Sequence, residues 1–154
     1  MKMLKDVQIK ELVTHCDERG FFREIIRKTD PLFAAGFGQW SVSRMNQGVI
    51  KAWHLHQVQW DWWYVGGGTL KVGLYDTRVG SETFGQTQVV LMGDPHPAAV
   101  LAIPPGVAHG CKVLQGPSHL FYITSQVYDP TDEGRIPYDD AEIGFDWLAP
   151  PPIT

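Results

Sequence analysis

The stretch GVIKAWHLHQVQWDWWYVGGG, residues 48–68, decides the fold and points to a functional site. Its residues around His54 and His56 are typical of a β-strand. Positions i and i+2 of a strand point to one face, so the two imidazoles are expected side by side, about 6–7 Å apart at Cα. Asp61 follows five residues after His56. Tryptophans at positions 53, 60, 62 and 63 flank the group and argue against a simply solvated face.

Outward from this stretch, the chain consists of short β-leaning runs separated by turn residues. The runs cover residues 7–13, 51–57, 69–75, 86–92, 99–103 and 119–125. Gly66-Gly67-Gly68 is expected to form a turn between strands. One short helix is expected at residues 31–36, after Asp30 as N-cap. About ten strands with almost no helix predict a β-sandwich, jelly roll or barrel.

Length and charge restrict the class of protein. The 154 residues suit one domain, and 44% hydrophobic residues supply a core. A net charge of −4 argues against partners such as nucleic acids or anionic membranes. No window is apolar enough for a membrane span, and Cys16 and Cys111 are expected to be reduced thiols, so a cytoplasmic location is expected. The acidic segment 129–146 is expected to be a solvated loop.

Two motifs resemble those of the cupin superfamily. They are Gly48-x5-His54-x-His56-x4-Asp61-x6-Gly68, with Asp where Glu is usual, and Pro104-x-Gly106-x2-His109. The resemblance implies an all-β cupin double-stranded β-helix, a jelly-roll barrel with at most one or two short helices. Metal-binding cupins hold one divalent ion at these positions, which implies His54, His56, Asp61 and His109 as candidate ligands. Three imidazoles and one carboxylate suit Mn, Fe, Ni, Cu or Zn better than Mg or Ca.

A closer resemblance extends over nearly the whole chain. The segments DERGFF (17–22), GVIKAWH (48–54), VGLYDTR (72–78), IPPGVAHG (103–110) and DDAEIGFDW (139–147) occur in the order found in one family. They resemble the dTDP-4-dehydrorhamnose 3,5-epimerase family, the dTDP-sugar isomerase branch of the cupins. The resemblance implies a single cupin domain over residues 1–154, a nucleotide-sugar substrate and a homodimer.

The resemblance also implies a reaction and roles for residues. A 4-keto group acidifies the protons on C3 and C5, so an epimerase needs a base on one face of the sugar and an acid on the other. By position, His54 is the expected base and Tyr122 the expected acid, with Tyr128 as a lesser alternative for the acid. The expected substrate-binding residues are Arg19, Gln39, Lys51, His109 and Tyr128.

The chain departs from the family pattern at three points. Asp61 stands where the family has a Lys that holds the enolate oxygen, and His56 stands where Gln is usual. The family's His is oriented by an Asp in a C-terminal extension, and this sequence ends at Thr154, so His54 is expected to lack that partner. In a metal-free site, Asp61 is the expected replacement partner for His54.

These residues leave three functions open. The first is an epimerase or isomerase of a 4-keto nucleotide-linked deoxysugar. The second is a metal-dependent cupin of another reaction class that uses three His and one carboxylate. The third is a non-catalytic module that binds sugar nucleotides. The first two conflict at His54, because a nitrogen that gives its lone pair to a metal cannot also take a substrate proton.

Overall fold

The computed structural model describes residues 2–151, and they form an almost entirely β-structure. The predicted all-β class is confirmed. The strands are β1 Gln8–Glu11, β2 His15–Asp17, β3 Gly20–Phe22, β4 Gln39–Met45, β5 Ile50–Leu55, β6 Asp61–Asp76, β7 Thr87–Gly93, β8 Ala99–Ile103, β9 Val107–Thr124 and β10 Gly134–Arg135. The expected helix is a single 3-10 turn, Pro31–Phe33. No helix within the described residues is long and apolar enough to cross a membrane.

Two long strands, β6 and β9, pair along their whole lengths and hold two layers together. In the first layer the order is β1, β8, the start of β6, the end of β9 and β4. In the second layer it is β7, the end of β6, the start of β9, β5 and β10. All of these pairs are antiparallel. The arrangement gives a two-layered jelly roll whose inner faces can enclose both a core and a site.

The glycine triplet lies inside β6, which corrects the expectation of a turn between strands. Register shifts occur between Val65 and Leu70, where β6 passes from one layer to the other. Gly68 has φ +76°, and a Cβ there would lie 2.6 Å from the backbone oxygen of Gln115. Only glycine fits this close approach with a left-handed backbone. The triplet therefore bends a continuous strand.

The apolar core fills the space between the layers. Its largest cluster includes Leu70, Val72, Leu74, Leu101 and Ile103, all 1% exposed or less. Another cluster packs Trp53 of β5 against Trp147. Four of the six tryptophans are buried, as expected for residues that fill a small β-core, whereas Trp40 is 68% exposed. The core leaves one end of the space between the layers to polar side chains.

Candidate functional site

A cavity of about 290 Å³ opens between the two layers, where β5 and the two long strands converge. Strand β5 supplies His54, and His56 follows directly after it. Asp61 is the first residue of β6, and His109 and Tyr122 lie near the two ends of β9. All five side chains line the cavity. The strands thus bring together residues that are distant in the sequence.

The floor of the cavity holds His56, Asp61 and His109, which we call the floor triad. One side-chain ligand atom from each lies within 4.8 Å of the other two. His109 Nε2 lies 3.6 Å from Asp61 Oδ2. Asp61 is 5% exposed and His109 is 3% exposed. The triad is therefore a compact, buried set of two imidazoles and a carboxylate.

Backbone carbonyls orient both imidazoles of the floor triad. His109 Nδ1 lies 3.0 Å from the oxygen of Val107, and His56 Nδ1 lies 3.1 Å from the oxygen of Asp132. A carbonyl oxygen only accepts, so each Nδ1 carries the hydrogen. In a neutral ring this leaves the lone pair on Nε2. Burial lowers the pKa of His109, although the neighbouring Asp61 opposes that shift.

Within the described part of the chain, the Asp61 carboxylate has only neutral hydrogen-bond donors. Gln59 Nε2 donates to Oδ1 at 2.8 Å, and Trp63 Nε1 donates to Oδ2 at 3.3 Å. The Trp63 ring also stands edge-on to His109, with centroids 5.3 Å apart. Among residues 2–151, His109 is the only basic side chain within 4.0 Å of Asp61. The floor thus contains a buried carboxylate that has no Lys or Arg within 4.0 Å in the described residues.

The mouth of the cavity holds His54 beside Glu133. His54 Nδ1 lies 3.7 Å from Glu133 Oε1. Tyr128 donates its hydroxyl hydrogen to Glu133 Oε2 at 3.1 Å, and Arg135 donates to Oε1 at 2.6 Å. Burial, together with the nearby His109 and Arg135, lowers the pKa of His54 to about 4, although Glu133 opposes the shift. The imidazole of His54 is therefore neutral at neutral pH.

This geometry corrects two expectations about His54. The expected carboxylate partner was Asp61, but Asp61 faces His109 and the carboxylate beside His54 is Glu133. His54 was also a candidate metal ligand, but the compact group contains only the floor triad. The rings of His54 and His109 are 6.3 Å apart at their centroids. The rings of His56 and His109 are 5.8 Å apart, so His54 lies only slightly farther from His109 than His56 does. His54 therefore lies just outside the compact group, and a metal held by the floor triad would leave it free to act as the base.

The segment 129–146, which brings Glu133 into the site, was expected to be a solvated loop, but its residues 132–134 are partly buried. The Asp132 side chain accepts hydrogen bonds from the backbone N–H groups of Gln57 at 2.8 Å and Gln59 at 3.1 Å. The side chains of Asp132 and Glu133 are only 14% and 17% exposed. Charge density alone favoured solvation of this segment. One sequence feature could have indicated a paired carboxylate in this segment: Arg135, which is the only Lys or Arg within residues 129–146.

The other predicted site residues divide into two groups. Gln39, Lys51 and Tyr128 line the cavity. Gln39 Oε1 accepts a hydrogen bond from the backbone N–H of Tyr128 at 3.0 Å, which ties β4 to the residue just before the acidic segment. Arg19 does not line the cavity; it lies on the exposed β2–β3 hairpin and forms an ion pair with Asp17.

Cys111 also lines the cavity but is not activated. The thiol is 2% exposed, and burial raises its pKa to about 12. A thiol at such a pKa is almost wholly protonated at neutral pH and is a poor nucleophile. Cys111 therefore contributes packing, consistent with its place in the core cluster.

Comparison with known proteins identifies the family. The sequence profile of the dTDP-4-dehydrorhamnose 3,5-epimerase family matches residues 2–154. The chain belongs to the dTDP-4-dehydrorhamnose 3,5-epimerase family. The spore coat polysaccharide biosynthesis protein SpsL of Bacillus subtilis is 46% identical to it over 148 residues, which is 94% of this chain and 97% of that protein.

Solved structures of dTDP-4-dehydrorhamnose 3,5-epimerase relatives share the fold. The dTDP sugar isomerase of Desulfovibrio desulfuricans matches with a TM-score of 0.89 and 28% identity, over 96% of this chain and 94% of that one. The dTDP-6-deoxy-D-glucose-3,5-epimerase of Legionella pneumophila, solved with dTDP-4-keto-L-rhamnose, matches with a TM-score of 0.86 and 29% identity, over 99% and 84%. These matches confirm the predicted family and its jelly-roll barrel, and they support an enzyme of the dTDP-sugar epimerase and isomerase class.

Proposed function

We propose that this protein epimerises or isomerises a 4-keto, dTDP-linked deoxysugar by removing a proton next to the keto group. The observation that carries the proposal is the cavity in which His54 stands beside Glu133, with Tyr122 lining the same space. The family match, and the sugar bound in the Legionella relative, support the class of substrate.

His54 is the proposed base. Its Nδ1 faces Glu133, so Nε2 is the nitrogen available to the substrate. When the ring takes a proton from C3 or C5, the positive charge forms beside a carboxylate that is held by Tyr128 and Arg135. An adjacent, oriented carboxylate stabilises an imidazolium and fixes its ring. Glu133 thus supplies the partner that the sequence led us to expect would be missing.

Tyr122 is the proposed acid, and the geometry favours it over Tyr128. Tyr128 is 63% exposed, and its hydroxyl is engaged with Glu133. Tyr122 is partly buried in the cavity lining, and no side chain among residues 2–151 hydrogen-bonds its hydroxyl. A free phenol facing the substrate can return a proton to the sugar. Tyr128 then acts by positioning Glu133.

Lys51 and Gln39 are the proposed contacts for the dTDP part of the substrate. Lys51 is exposed at the rim of the cavity, where its Nζ lies 3.1 Å from Ser43 Oγ. It offers a point charge to the diphosphate, without the bidentate geometry of an arginine. Arg19 lies apart from the cavity within this chain, so a contact between Arg19 and this substrate would need a second copy.

A homodimer remains a prediction, and exposed apolar residues support it. Phe21, Phe22 and Trp40 are each at least 60% exposed. Large exposed aromatic groups of this kind are enriched at protein interfaces. Light scattering of the purified chain, expected to give twice the monomer mass, checks this prediction.

The proposed reaction is tested by solvent exchange. Wild-type protein incubated in D2O with dTDP-4-keto-6-deoxyglucose is expected to incorporate deuterium at C3, C5 or both, as read by NMR. His54→Asn is expected to slow exchange by about 10²–10⁴-fold, since it removes the base. Glu133→Gln is expected to slow it by about 10–100-fold, because the imidazolium loses its carboxylate. His96→Asn, in the turn between β7 and β8 and away from the cavity lining, is the matched control.

Two results would contradict the proposal. Unchanged exchange in His54→Asn would remove His54 from the mechanism. Tight binding of dTDP sugars without any exchange in the wild-type protein would indicate a binding module instead of an enzyme.

A further inference from the structure

We propose that the floor triad, His56, Asp61 and His109, binds one divalent transition-metal ion. The separations within the triad suit an ion. Bond lengths of about 2.0–2.2 Å to nitrogen and oxygen place neighbouring tetrahedral ligand atoms about 3.3–3.6 Å apart. His109 Nε2 and Asp61 Oδ2 are 3.6 Å apart, and the whole set lies within 4.8 Å. An approach of at most about 1.2 Å, by side-chain rotation, would bring the set to tetrahedral spacing.

The imidazoles are already held in the form that binds metals. Each gives its Nδ1 hydrogen to a backbone oxygen, His109 to Val107 and His56 to Asp132. Metal-binding histidines usually make this second contact, which fixes the ring and leaves Nε2 free to coordinate. The floor triad therefore has ligand atoms and the groups that orient them.

The negative charge of Asp61 and the lone pairs of the two imidazoles favour binding of a cation. In its neutral form, His109 directs a lone pair at the Asp61 carboxylate, whose other partners are the neutral Gln59 and Trp63. Burying acceptors that face one another is costly unless a positive charge lies between them. His56 offers a third ligand atom within 4.8 Å of the other two. A divalent ion would satisfy all three.

The ligand set and its surroundings indicate the kind of ion and its exposure. Two imidazoles and one carboxylate favour Zn, Fe, Mn, Co or Ni over Mg or Ca. Three protein ligands leave at least one coordination position open, and the open side faces the cavity that His54 and Tyr122 line. His54 stays outside the set, so metal binding does not depend on the proposed base or on the proposed reaction.

Metal binding can be measured without a substrate. Protein purified without chelator is analysed for metal by mass spectrometry. It is then stripped with chelator and titrated with Co²⁺, whose visible absorption reports coordination by nitrogen and oxygen. We expect about one ion per chain and a higher melting temperature with the ion. His56→Ala and Asp61→Asn should weaken binding by about 100-fold or more, because even partners outside a ligand set change metal affinity by about 10–100-fold.

Control variants define the ligand set. His54→Asn and the exposed His15→Ala should bind Co²⁺ as the wild type does. If His56→Ala does not fold, as judged by circular dichroism, His56→Gln replaces it. Failure of the stripped protein to take up Co²⁺ or Zn²⁺ would overturn the proposal, as would equal binding in the triad variants. Loss of binding in His54→Asn would overturn the three-residue assignment.

The metal-binding experiment and the deuterium-exchange experiment can succeed or fail independently. Metal binding without deuterium exchange would support the site and contradict the epimerase. Full exchange by stripped protein that takes up no metal would support the epimerase and contradict the site.

Discussion

Strand β6 begins and ends with a buried aspartate, and the two carboxylates differ in the groups that are bonded to them. Asp61 is 5% exposed and Asp76 is fully buried. Asp76 accepts two side-chain hydrogen bonds from Arg78, at 2.8 and 2.9 Å. Ser81 and Thr83 each donate to it at 2.6 Å. Asp61 has two neutral donors and no Lys or Arg within 4.0 Å among residues 2–151.

The difference separates a structural carboxylate from one that we propose to be functional. A buried charge with a complete set of partners holds a fold together, because every acceptor site is used. At Asp76 the bonded groups tie the end of β6 to the following turn. A buried carboxylate with an incomplete set of partners still has acceptor sites that a cation or a further donor can fill. At Asp61 the missing positive charge faces a cavity, where an ion or a substrate can supply it.

The largest effect expected from this comparison is on stability at Asp76. Asp76→Asn should lower the free energy of unfolding by about 2–4 kcal/mol, because Arg78 loses its buried partner but remains partly exposed to water. Asp61→Asn, measured in chelator-treated protein, should change it by less than about 1 kcal/mol, since it removes an uncompensated buried charge. Urea unfolding of both variants measures the difference. Equal losses would show that Asp61 is also structural.

Low pH should reduce the contribution of Asp76 to the free energy of unfolding. Burial alone would raise the pKa of Asp76, but hydrogen bonds from Arg78, Ser81 and Thr83 outweigh it and hold the pKa well below the ordinary value of 3.8. A carboxyl whose pKa is lowered by folding stabilises the protein above its unfolded pKa, and this stabilisation is lost as the pH falls toward the folded pKa. The gap in unfolding free energy between wild type and Asp76→Asn should therefore narrow below about pH 4. A gap that stays constant from pH 7 to pH 3 would contradict this.

A smaller difference between the two ends is expected when one hydrogen bond is removed at each. Gln59→Met should cost the chelator-treated protein about 1.5–3 kcal/mol, because Asp61 keeps only the longer bond from Trp63. Ser81→Ala, the matched change at Asp76, should cost about 0.5–1.5 kcal/mol, because Arg78 and Thr83 remain bonded. Thermal or urea unfolding of the two variants checks the order. A larger loss in Ser81→Ala would reverse the comparison.

Two of the runs predicted from the sequence match single strands closely, whereas β4 lies in none of the predicted runs. The run 99–103 coincides with β8, and the run 86–92 differs from β7 by one residue at each end. The two long strands were predicted only in parts, as 69–75 and 119–125. Glycine weakens a strand locally, so Gly66-Gly67-Gly68 predicted a break. Pairing with β9 continues on both sides of the triplet, so the strand bends there and is not interrupted.

The sequence by itself determined the all-β class, the family resemblance and the motif residues His54, His56, Asp61 and His109. The alternation of apolar and polar residues, the turn residues and the motif spacing are local properties, so they can be recognised in the sequence. Tertiary structure alone decided which of these residues meet. Glu133 reaches His54, and Asp132 orients His56, because β10 pairs with β5 and brings the acidic segment to the cavity. Arg78 lies two residues from Asp76, so compensation there is local; whether a cation stands beside Asp61 depends on contacts between strands.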